Sequence, residues 1–290
     1  MAETQIIDGK SIAKQWRLKI ADYIKRTGIC PKLSVIQVGD DPASTIYVAN
    51  KQKVAHEVGI LSNVYKLPAD VSEQSVLDLI DELNDAKDVN GILLQLPVPP
   101  HLNADVLIER IKPEKDVDGL CAQNVGKMVT GKPAMIPCTP LGCLYLLKQT
   151  LGSLEGKHAL VIGRSALVGR PLSQLLLKEN CTVTQAHSKT VNLKHLCQEA
   201  DIIISAVGKA GLIKGDYVKD GATIIDVGIN RLDNGKIVGD ILFLEMMGKA
   251  GYVTPVPGGV GPMTVAMLML NVLKATDESL KRSTELIFFE

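Results

Sequence analysis

Apolar residues along the chain follow two spacings in turn, one typical of helices and one typical of strands. In the first segment they recur at every fourth position, at Ile12, Trp16, Ile20 and Ile24. This spacing predicts a helix that is capped at Ser11 and ends at Gly28, because serine caps helix N-termini and glycine accepts the left-handed conformation that follows a helix. The mainly apolar segment Leu33–Val38 then predicts a strand.

The same alternation of helices and strands continues through the first half of the chain. We predict helices over Ser44–Val58, after Ser72 and after Asn103, and strands over residues 60–67 and 91–96. Helices that alternate with apolar strands of this type favour an α/β architecture, in which helices cover a largely parallel sheet.

A second series of elements begins near residue 139. Thr139 can cap a helix in which Pro140 takes the first helical position, where proline is well tolerated. Four further strands are predicted over residues 158–162, 182–185, 202–206 and 223–227. We therefore predict a change of domain near residue 139, and the final helix, which begins at Thr264, could pack on either half.

Charge and composition exclude several classes of protein. The 290 residues include 32 Lys and Arg and 32 Asp and Glu, so the formal net charge is zero, whereas a nucleic-acid-binding protein normally carries a basic excess. With one Trp, six Tyr and three Phe, the chain also lacks the aromatic residues that single-strand binding uses. The most apolar run, residues 263–270, is about half of a membrane span, and no secretory signal is visible. We expect no nucleic-acid partner, no membrane insertion and a soluble, cytoplasmic protein.

The six cysteines are expected to be reduced. They contain no Cys-x-x-Cys pair, and most lie in apolar segments, as small buried residues do. None of the five histidines is spaced to bind zinc together with these cysteines. We therefore expect neither a disulfide framework nor a metal site.

A glycine-containing turn follows the predicted strand 158–162 and precedes a helix. It runs from Gly163 to Gly169, with Pro171 early in the helix. In a doubly wound sheet, a helix N-terminus at this place binds the pyrophosphate of a dinucleotide. The spacing departs from Gly-x-Gly-x-x-Gly, because Ser165 takes the place of the second glycine and the last glycine comes one residue late. A tight turn without a ligand therefore stays an alternative.

The charges after the next strand favour NADP over NAD. NAD-binding units usually place an Asp or Glu about 20 residues after the glycines, where it binds the ribose hydroxyls. Here no acidic residue occurs between Glu179 and Glu199, whereas Arg164, Ser188 and Lys189 would suit a 2′-phosphate. The alternative is that Arg164 and Lys189 are simply solvated surface charges.

Tyr47 and Lys51 lie four residues apart in a predicted helix and therefore share one face. A lysine can move protons to or from a substrate if its pKa is lowered by burial or by a neighbour, and a phenol beside it can orient or stack on a flat ring. Gln95 interrupts an apolar run at the carboxyl end of a predicted strand, where ligands bind in parallel sheets. The alternatives are an exposed helix face for the pair and a solvent-facing amide on an edge strand for Gln95.

Two further segments could form part of a site. Asp116 and Asp118 place two carboxylates in one turn, where they could cap the turn, ligate a metal or bind a ring with several N–H donors. The metal is the weakest of these, because no third hard ligand lies nearby in the sequence.

The segment 254–264 is rich in glycine, which lets the backbone approach a ligand, and in proline, which fixes the course of the loop until Pro262 opens a helix. A plain interdomain loop is the alternative here.

Taken together, these segments resemble the bifunctional methylenetetrahydrofolate dehydrogenase/methenyltetrahydrofolate cyclohydrolase family. They are collinear and span most of the chain, so they are far more specific jointly than singly. The segments that carry the resemblance are Tyr47–Lys51, Leu94–Pro97, Pro113–Gly119, Pro137–Pro140, Gly163–Ser165 and Pro255–Thr264.

The resemblance implies a fold and two reactions. The fold would be α/β, with an N-terminal substrate domain on a parallel sheet, a Rossmann-like NADP-binding domain and a cleft between them, usually as a homodimer. Residues 1–138 would bind folate, residues 139–263 would bind NADP, and the C-terminal helix, about residues 264–290, would pack back onto the first domain. The reactions would be NADP-dependent oxidation of 5,10-methylenetetrahydrofolate and hydrolysis of the methenyl product to 10-formyltetrahydrofolate.

The resemblance also implies roles for individual residues. Lys51 would handle the proton in the hydrolysis, Gln95 would hydrogen-bond to it and tune its charge, and Tyr47 would position the folate and stack on it. Asp118 would bind the N–H donors of the pterin ring. The other residues implied in folate binding are Leu94 and Leu96, together with Pro257, Gly258, Gly259 and Gly261 as a wall between folate and nicotinamide. Those implied in cofactor binding are Gly163, Arg164, Ser165, Ser188 and Ile229.

Three alternatives stay open at this point. Some relatives lack the cyclohydrolase step, so the protein could be a dehydrogenase alone, although the presence of Lys51 favours retention of hydrolysis. A short-chain reductase would also use Tyr47 and Lys51, but in that family the pair follows the glycine-rich turn, whereas here it precedes the turn by more than a hundred residues. A regulatory module would bind NADP tightly and show no folate-dependent turnover.

Overall fold

Residues 3–281 are described by a computed structural model, in which the chain forms two compact units. The six-stranded unit comprises the residues up to Lys14 together with Pro137–Thr264. The three-stranded unit comprises Gln15–Ile136 together with the residues from Val265 onward. Each unit is built around its own parallel sheet.

In chain order, the secondary-structure elements of the described residues are β1 (Gln5–Ile6), α1 (Gly9–Thr27), β2 (Lys32–Val38), α2 (Pro42–Val58), β3 (Leu61–Leu67), α3 (Glu73–Asp85), β4 (Gly91–Leu94), α4 (Ala104–Arg110), α5 (Ala122–Val129), α6 (Cys138–Leu151), β5 (His158–Ile162), α7 (Gly169–Lys178), β6 (Thr182–Ala186), α8 (Leu193–Glu199), β7 (Ile202–Ser205), β8 (Thr223–Asp226), β9 (Asn230–Arg231), β10 (Ile237–Val238), β11 (Tyr252–Val253) and α9 (Val260–Ser279). Short 3-10 helices occupy Gly215–Tyr217 and Phe243–Met246. The predicted α/β fold with parallel sheets is confirmed.

The three-stranded sheet is parallel and has the order β3-β2-β4. The central strand β2 is buried over almost its whole length, and its buried residues include the polar Ser34 and Gln37 beside four apolar ones. The chain passes from β2 to β3 on one side and then returns through α3 to β4 on the other. The carboxyl ends of β2 and β4 therefore form the edge at which doubly wound sheets bind ligands. Gln95 follows β4 directly at this edge.

The six-stranded sheet is also parallel, in the order β1-β11-β8-β7-β5-β6. The strand order reverses at β5, because β6 lies on one side of it and β7 on the other. The register places the last residues of three neighbouring strands side by side, Ile162 beside Ser205 and Ser205 beside Asp226. The loops after β5, β7 and β8 therefore leave the sheet at one level, on the edge where a ligand is expected.

The two ends of the described chain belong to different units. β1 pairs in parallel with β11, so the residues up to Lys14 cluster with the six-stranded unit, whereas the sequence places them in the first domain. The residues from Val265 onward cluster with the three-stranded unit. Residues 282–290 of the predicted C-terminal helix lie outside the described residues.

Two helix caps differ from the sequence prediction. The Asp8 carboxylate accepts the Ser11 N–H at 3.0 Å, so Asp8 rather than Ser11 caps α1. Likewise Asp41 accepts the Ser44 N–H at 2.7 Å and caps α2, which starts two residues before the predicted Ser44. In both helices a carboxylate before the first turn satisfies the free N–H groups and also suits the helix dipole. The predicted cap of α3, Ser72, is confirmed.

Other differences concern early helix starts and short elements. α6 begins at Cys138 and α9 at Val260, so Pro140 and Pro262 are third residues of their helices, where proline still costs no intrahelical hydrogen bond. The sequence analysis missed α5, the antiparallel hairpin β9-β10 and the two-residue strands β1 and β11. The two-residue strands are too short to carry a recognisable apolar period.

The C-terminal helix α9 is apolar because it is buried. Every side chain from Val265 to Leu273 is at most 5 % exposed. Asn271 is the polar member of this run, and its Nδ2 donates to the carbonyls of Val117 at 2.8 Å and Ile136 at 2.9 Å. A buried amide that serves two distant carbonyls anchors both backbone segments to α9. Among residues 3–281, no helix has both the length and the apolar character needed to cross a membrane.

Replacing Asn271 with leucine should lower the free energy of unfolding by about 2–6 kcal/mol, because two buried carbonyls lose a donor at about 1–3 kcal/mol each. Urea unfolding followed by circular dichroism measures this loss. Asn63→Leu, at an exposed position of β3 in the same unit, is the matched control and should change stability by about 0.5 kcal/mol or less. Equal losses in the two variants would contradict the anchoring role of Asn271.

Candidate active site

Lys51 and Gln95 are in direct contact in the three-stranded unit. Lys51 Nζ donates a hydrogen bond of 3.0 Å to Gln95 Oε1, and both residues are half-buried. The amide of Gln95 is itself fixed, because its Nε2 donates to the Leu96 carbonyl at 2.6 Å and its backbone N–H donates to the Ile36 carbonyl at 2.8 Å. Since Nε2 is bonded to the backbone, Oε1 is the atom that faces the lysine.

Helix α2 carries Tyr47 one turn before Lys51, on the same face. The cap at Asp41 fixes the start of the helix, and Gln37 ties its first turn to β2 through a bond of 2.9 Å from Nε2 to the Thr45 hydroxyl. Tyr47 is 41 % exposed, so part of its ring is open to a flat ligand. The helix thus presents an aromatic ring and an amine together near the carboxyl edge of the small sheet.

The two carboxylates of the turn before α5 have different surroundings. Asp116 is buried, and it accepts the N–H groups of Gly119 at 3.0 Å and Cys121 at 2.9 Å and the Asn124 amide at 3.1 Å. These bonds close the turn and satisfy the start of α5, so Asp116 serves the local fold. Asp118 is half-buried, and we retain it as the candidate for ligand recognition. Within residues 3–281, no group of three or more His, Cys, Asp or Glu could hold a metal ion.

The leucines beside Gln95 lie in the core of the three-stranded unit. Leu94 is buried there, and Leu96 packs against the same cluster of apolar side chains, which includes residues of α3 and α4. A side chain in this position stabilises the strand end that carries Gln95. Any contact of Leu94 with a folate would therefore be made by its backbone.

The loop before α9 belongs to the six-stranded unit and is shaped by its glycines. Gly258 has φ +109°, and its carbonyl accepts the Lys10 N–H at 3.0 Å. A side chain on Gly259 would collide with the backbone of the same loop, whereas the space around Gly261 is open. Pro257 is exposed. The loop can therefore present bare backbone and a proline ring to a ligand.

The glycine-containing turn follows β5 directly. Gly163 has φ +126°, and a side chain there would collide with the Ala206 carbonyl in the loop after β7. A side chain on Gly169 would collide with the Gly163 carbonyl, so the first turn of α7 packs closely on the turn. Ser165 Oγ accepts the Val168 N–H at 3.1 Å and closes the turn. This geometry places the N-terminus of the ten-residue helix α7 at the carboxyl edge of the large sheet.

The residues predicted to contact a 2′-phosphate follow β5 and β6, which are adjacent and end in register. Arg164, Ser188 and Lys189 are all exposed. Ile229, in the loop after β8, is also exposed. Two positive charges and a hydroxyl beyond neighbouring strand ends are a suitable group for a phosphate, which accepts charge-assisted hydrogen bonds.

The sequence analysis missed two buried aspartates in the six-stranded unit. Asp226 ends β8, and Asp240 follows β10 by two residues. Burial raises the pKa of Asp226 to about 6. A side chain on Gly228 would collide with the Asp240 carboxylate, and one on Gly239 would collide with that of Asp226. Gly228 lies close to Asp226 in the sequence, and Gly239 precedes Asp240. Each glycine leaves a space that the carboxylate of the other segment fills, so these two glycines are the sequence signal that could have identified the pair.

Two family models match the chain. The catalytic domain of tetrahydrofolate dehydrogenase/cyclohydrolase matches residues 7–118, and the NAD(P)-binding domain of tetrahydrofolate dehydrogenase/cyclohydrolase matches residues 137–280. Among curated proteins, the chain is 52 % identical over 283 residues to the bifunctional protein FolD 2 of Sinorhizobium medicae, with 95 % of each chain covered.

Solved structures are similar over nearly the whole chain. The bifunctional enzyme FolD, methylenetetrahydrofolate dehydrogenase/cyclohydrolase, from Campylobacter jejuni is 45 % identical with a TM-score of 0.93, covering 95 % of this chain and 99 % of that one. The N5,N10-methylenetetrahydrofolate dehydrogenase-cyclohydrolase of Trypanosoma brucei, solved with NADP and an inhibitor, is 35 % identical with a TM-score of 0.92. That alignment covers 97 % of this chain and 100 % of the other.

Proposed function

The chain belongs to the tetrahydrofolate dehydrogenase/cyclohydrolase family, and we propose that its three-stranded unit binds the folate while its six-stranded unit binds NADP. The protein oxidises 5,10-methylenetetrahydrofolate to the methenyl form with NADP and hydrolyses that product to 10-formyltetrahydrofolate. The observation that carries the assignment of residues is the hydrogen bond of 3.0 Å between Lys51 and Gln95 at the ligand edge of the small sheet.

We assign the proton transfer of the hydrolysis to Lys51. Water adds to the methenyl carbon, a carbon–nitrogen bond of the ring breaks, and one proton is released. A neutral lysine amine can take that proton from the attacking water. Because the methenyl group is a cation, a neutral amine also avoids electrostatic repulsion with the substrate.

Gln95 supports this role through its geometry. Its Oε1 accepts an N–H of Lys51 in either protonation state of the amine, so the nitrogen keeps its place while it gains or loses a proton. The amide cannot turn round to offer a donor without losing the bond from Nε2 to the backbone.

The folate itself is assigned to a small number of groups. The exposed ring of Tyr47 offers a stacking surface, and the Asp118 carboxylate offers an acceptor for the several N–H donors of the pterin. The contributions of Pro257, Gly258 and Gly261 stay predictions, supported by the open backbone of their loop.

NADP is the cofactor, and the six-stranded unit contains residues that fit it. The positive φ of Gly163 and the close packing at Gly169 leave bare backbone and a helix N-terminus, which suit the pyrophosphate. We assign Ser165 and Ile229 to other contacts with the cofactor, and Arg164, Ser188 and Lys189 to the 2′-phosphate, on the basis of their exposure at the strand ends. When bound, NADP supplies the nicotinamide ring that accepts a hydride from the methylene carbon.

We propose that the protein is a homodimer and that the second copy covers an apolar groove in the six-stranded unit. The groove has a volume of about 730 Å³ and is lined mainly by apolar side chains, among them Leu232, Val238, Leu242, Phe243 and Leu244. Leu244 is 82 % exposed, which is unusual for a leucine within an apolar patch of this size. Lys236 and Glu245 also line the groove and add a positive and a negative side chain to its apolar lining.

We also propose a cytoplasmic location. All six cysteines are free thiols, and five of them are buried. Burial raises the pKa of Cys143 and of Cys197 to about 12, so both stay protonated and unreactive. Unpaired thiols of this kind are typical of proteins in a reducing compartment.

Lys51→Met should reduce the hydrolysis of methenyltetrahydrofolate by about 100-fold or more, since general acid–base catalysis contributes roughly that factor. Binding of the folate should fall much less. Lys53→Met, at an exposed position of the same helix, is the control and should retain the activity. Decay of the methenyl absorbance measures the hydrolysis, and unchanged hydrolysis by Lys51→Met would contradict the assignment.

Failure of the wild-type protein to form NADPH from methylenetetrahydrofolate, together with failure to reduce NAD, would contradict the dehydrogenase activity.

Ser188→Ala combined with Lys189→Ala should weaken NADP binding by about tenfold or more, because a 2′-phosphate loses its charge-assisted partners. NAD has no 2′-phosphate, so its affinity should change by about twofold or less. Isothermal titration calorimetry measures both. Lys178→Ala, at the far end of α7, is the control for the loss of one positive charge. An equal loss for the two nucleotides would count against 2′-phosphate recognition by this turn.

Leu244→Asp should convert the dimer to a monomer, because it places a charge in the apolar groove where the second copy packs. Size-exclusion chromatography with light scattering should give a mass near twice 31.2 kDa for the wild type and near 31.2 kDa for the variant. Leu177→Asp, at another exposed leucine of the same unit, should remain dimeric. A monomeric wild type, or a dimeric Leu244→Asp, would contradict this interface.

A further inference from the structure

Asp240 holds a loop to which the proposed mechanism assigns no role. Its carboxylate accepts the N–H groups of three consecutive residues after β7. The distances are 2.9 Å from Val207, 3.3 Å from Gly208 and 2.8 Å from Lys209. Three successive N–H groups converge on one carboxylate, as they do around a bound anion in other proteins, and this fixes the course of the backbone at this point.

The rest of the carboxylate is also satisfied by donors. The Ser205 hydroxyl lies 3.1 Å from Oδ2, the Asn230 amide nitrogen lies 3.0 Å from Oδ1, and the Asp240 side chain is completely buried. Every one of these five partners donates a hydrogen bond. An asparagine of the same shape would therefore turn its own NH₂ group against N–H donors. The five donors therefore match the two acceptor oxygens of an aspartate, and an amide of the same shape does not match them.

Asp226 fixes the backbone of Asp240 in turn. It accepts the Asp240 N–H at 2.9 Å, the Ile241 N–H at 3.1 Å and the Gly228 N–H at 3.0 Å. The two carboxylates thereby connect three segments, namely the loop after β7, the loop after β8 and the chain after β10.

These segments lie beside the cofactor turn. The Ala206 N–H donates to the Ile162 carbonyl at 2.8 Å, and a side chain on Gly163 would collide with the Ala206 carbonyl. The loop after β7 is therefore in contact with the turn that we assign to the pyrophosphate. The N–H groups of Val207, Gly208 and Lys209 are hydrogen-bonded to Asp240 and are therefore not available to a phosphate. The loop can act on a ligand at this point through its shape.

We propose that Asp240 is a positioning residue for NADP binding, which fixes residues 207–209 as a wall of the cofactor site beside Gly163. The inference rests on the proposed binding of NADP by the six-stranded unit. The alternative is that Asp240 only stabilises the fold. The two roles differ in their effect on the hydrolysis that we assign to the three-stranded unit.

The test uses full-length Asp240→Asn. NADP affinity, measured by isothermal titration calorimetry, should fall about tenfold to a hundredfold, because unsatisfied donors release the wall. Amide hydrogen exchange of residues 207–209 should accelerate by a similar factor without any ligand. Hydrolysis of methenyltetrahydrofolate without NADP should stay within about twofold of the wild type, because this step needs no hydride acceptor. Asp220→Asn, the same change at an exposed position of the same unit, should alter none of the three.

Each other outcome has a defined meaning. Unchanged NADP affinity in Asp240→Asn would overturn the inference, provided that the wild type binds NADP. Parallel loss of NADP affinity and hydrolysis would also overturn it, because that result indicates a role in the whole fold. Failure of the wild-type protein to bind NADP would overturn the proposed cofactor role, and this inference with it.

Discussion

The parallel register of the two sheets is the constraint on which the rest of the structure depends. In a parallel sheet the strands end at one edge, and backbone groups beyond the last pair must find other partners. Here each loop begins with one more ladder bond. Gln95 N–H reaches Ile36, Ala206 N–H reaches Ile162, and Val227 N–H reaches Ser205. Gln95, the turn that begins at Gly163 and the loops after β7 and β8 leave the sheets at this level, so strand register determines where these parts of the candidate site lie.

Buried polar side chains then hold the backbone of these loops. Asp116 closes the turn that contains Asp118, Asn271 holds the Val117 carbonyl, and Asp240 holds the loop after β7. All three bond to backbone groups, so the loop positions are fixed by side chains that themselves stay out of solvent. The few exposed groups, such as Tyr47, are presented by segments whose course is already determined.

Strand cores and the chemical residues could be predicted from the sequence, because both leave local signals. An apolar run such as Gly91–Leu94 indicates a buried strand, and Gln95 is conspicuous because it interrupts that run before Leu96. The role of Asp116 in the local fold could not be predicted, since it lies in the same turn as Asp118 and only its burial and its bonds to Gly119 and Cys121 reveal that role. Asp240 was missed for a related reason: its partners at 205–209 lie more than thirty residues away, and no periodicity relates them.

The buried aspartates also explain how a unit that binds an anion can contain carboxylates close to its ligand edge. Burial and the neighbouring Asp240 raise the pKa of Asp226 from 3.8 to about 6, whereas its three N–H partners lower it. An acid whose pKa is raised in the folded state destabilises that state where it is ionised. Stability therefore falls as the pH rises from about 4 to 6, by up to about 3 kcal/mol from this group. Both carboxylates face backbone N–H donors of the loops that they hold, and these donors offset their negative charge locally.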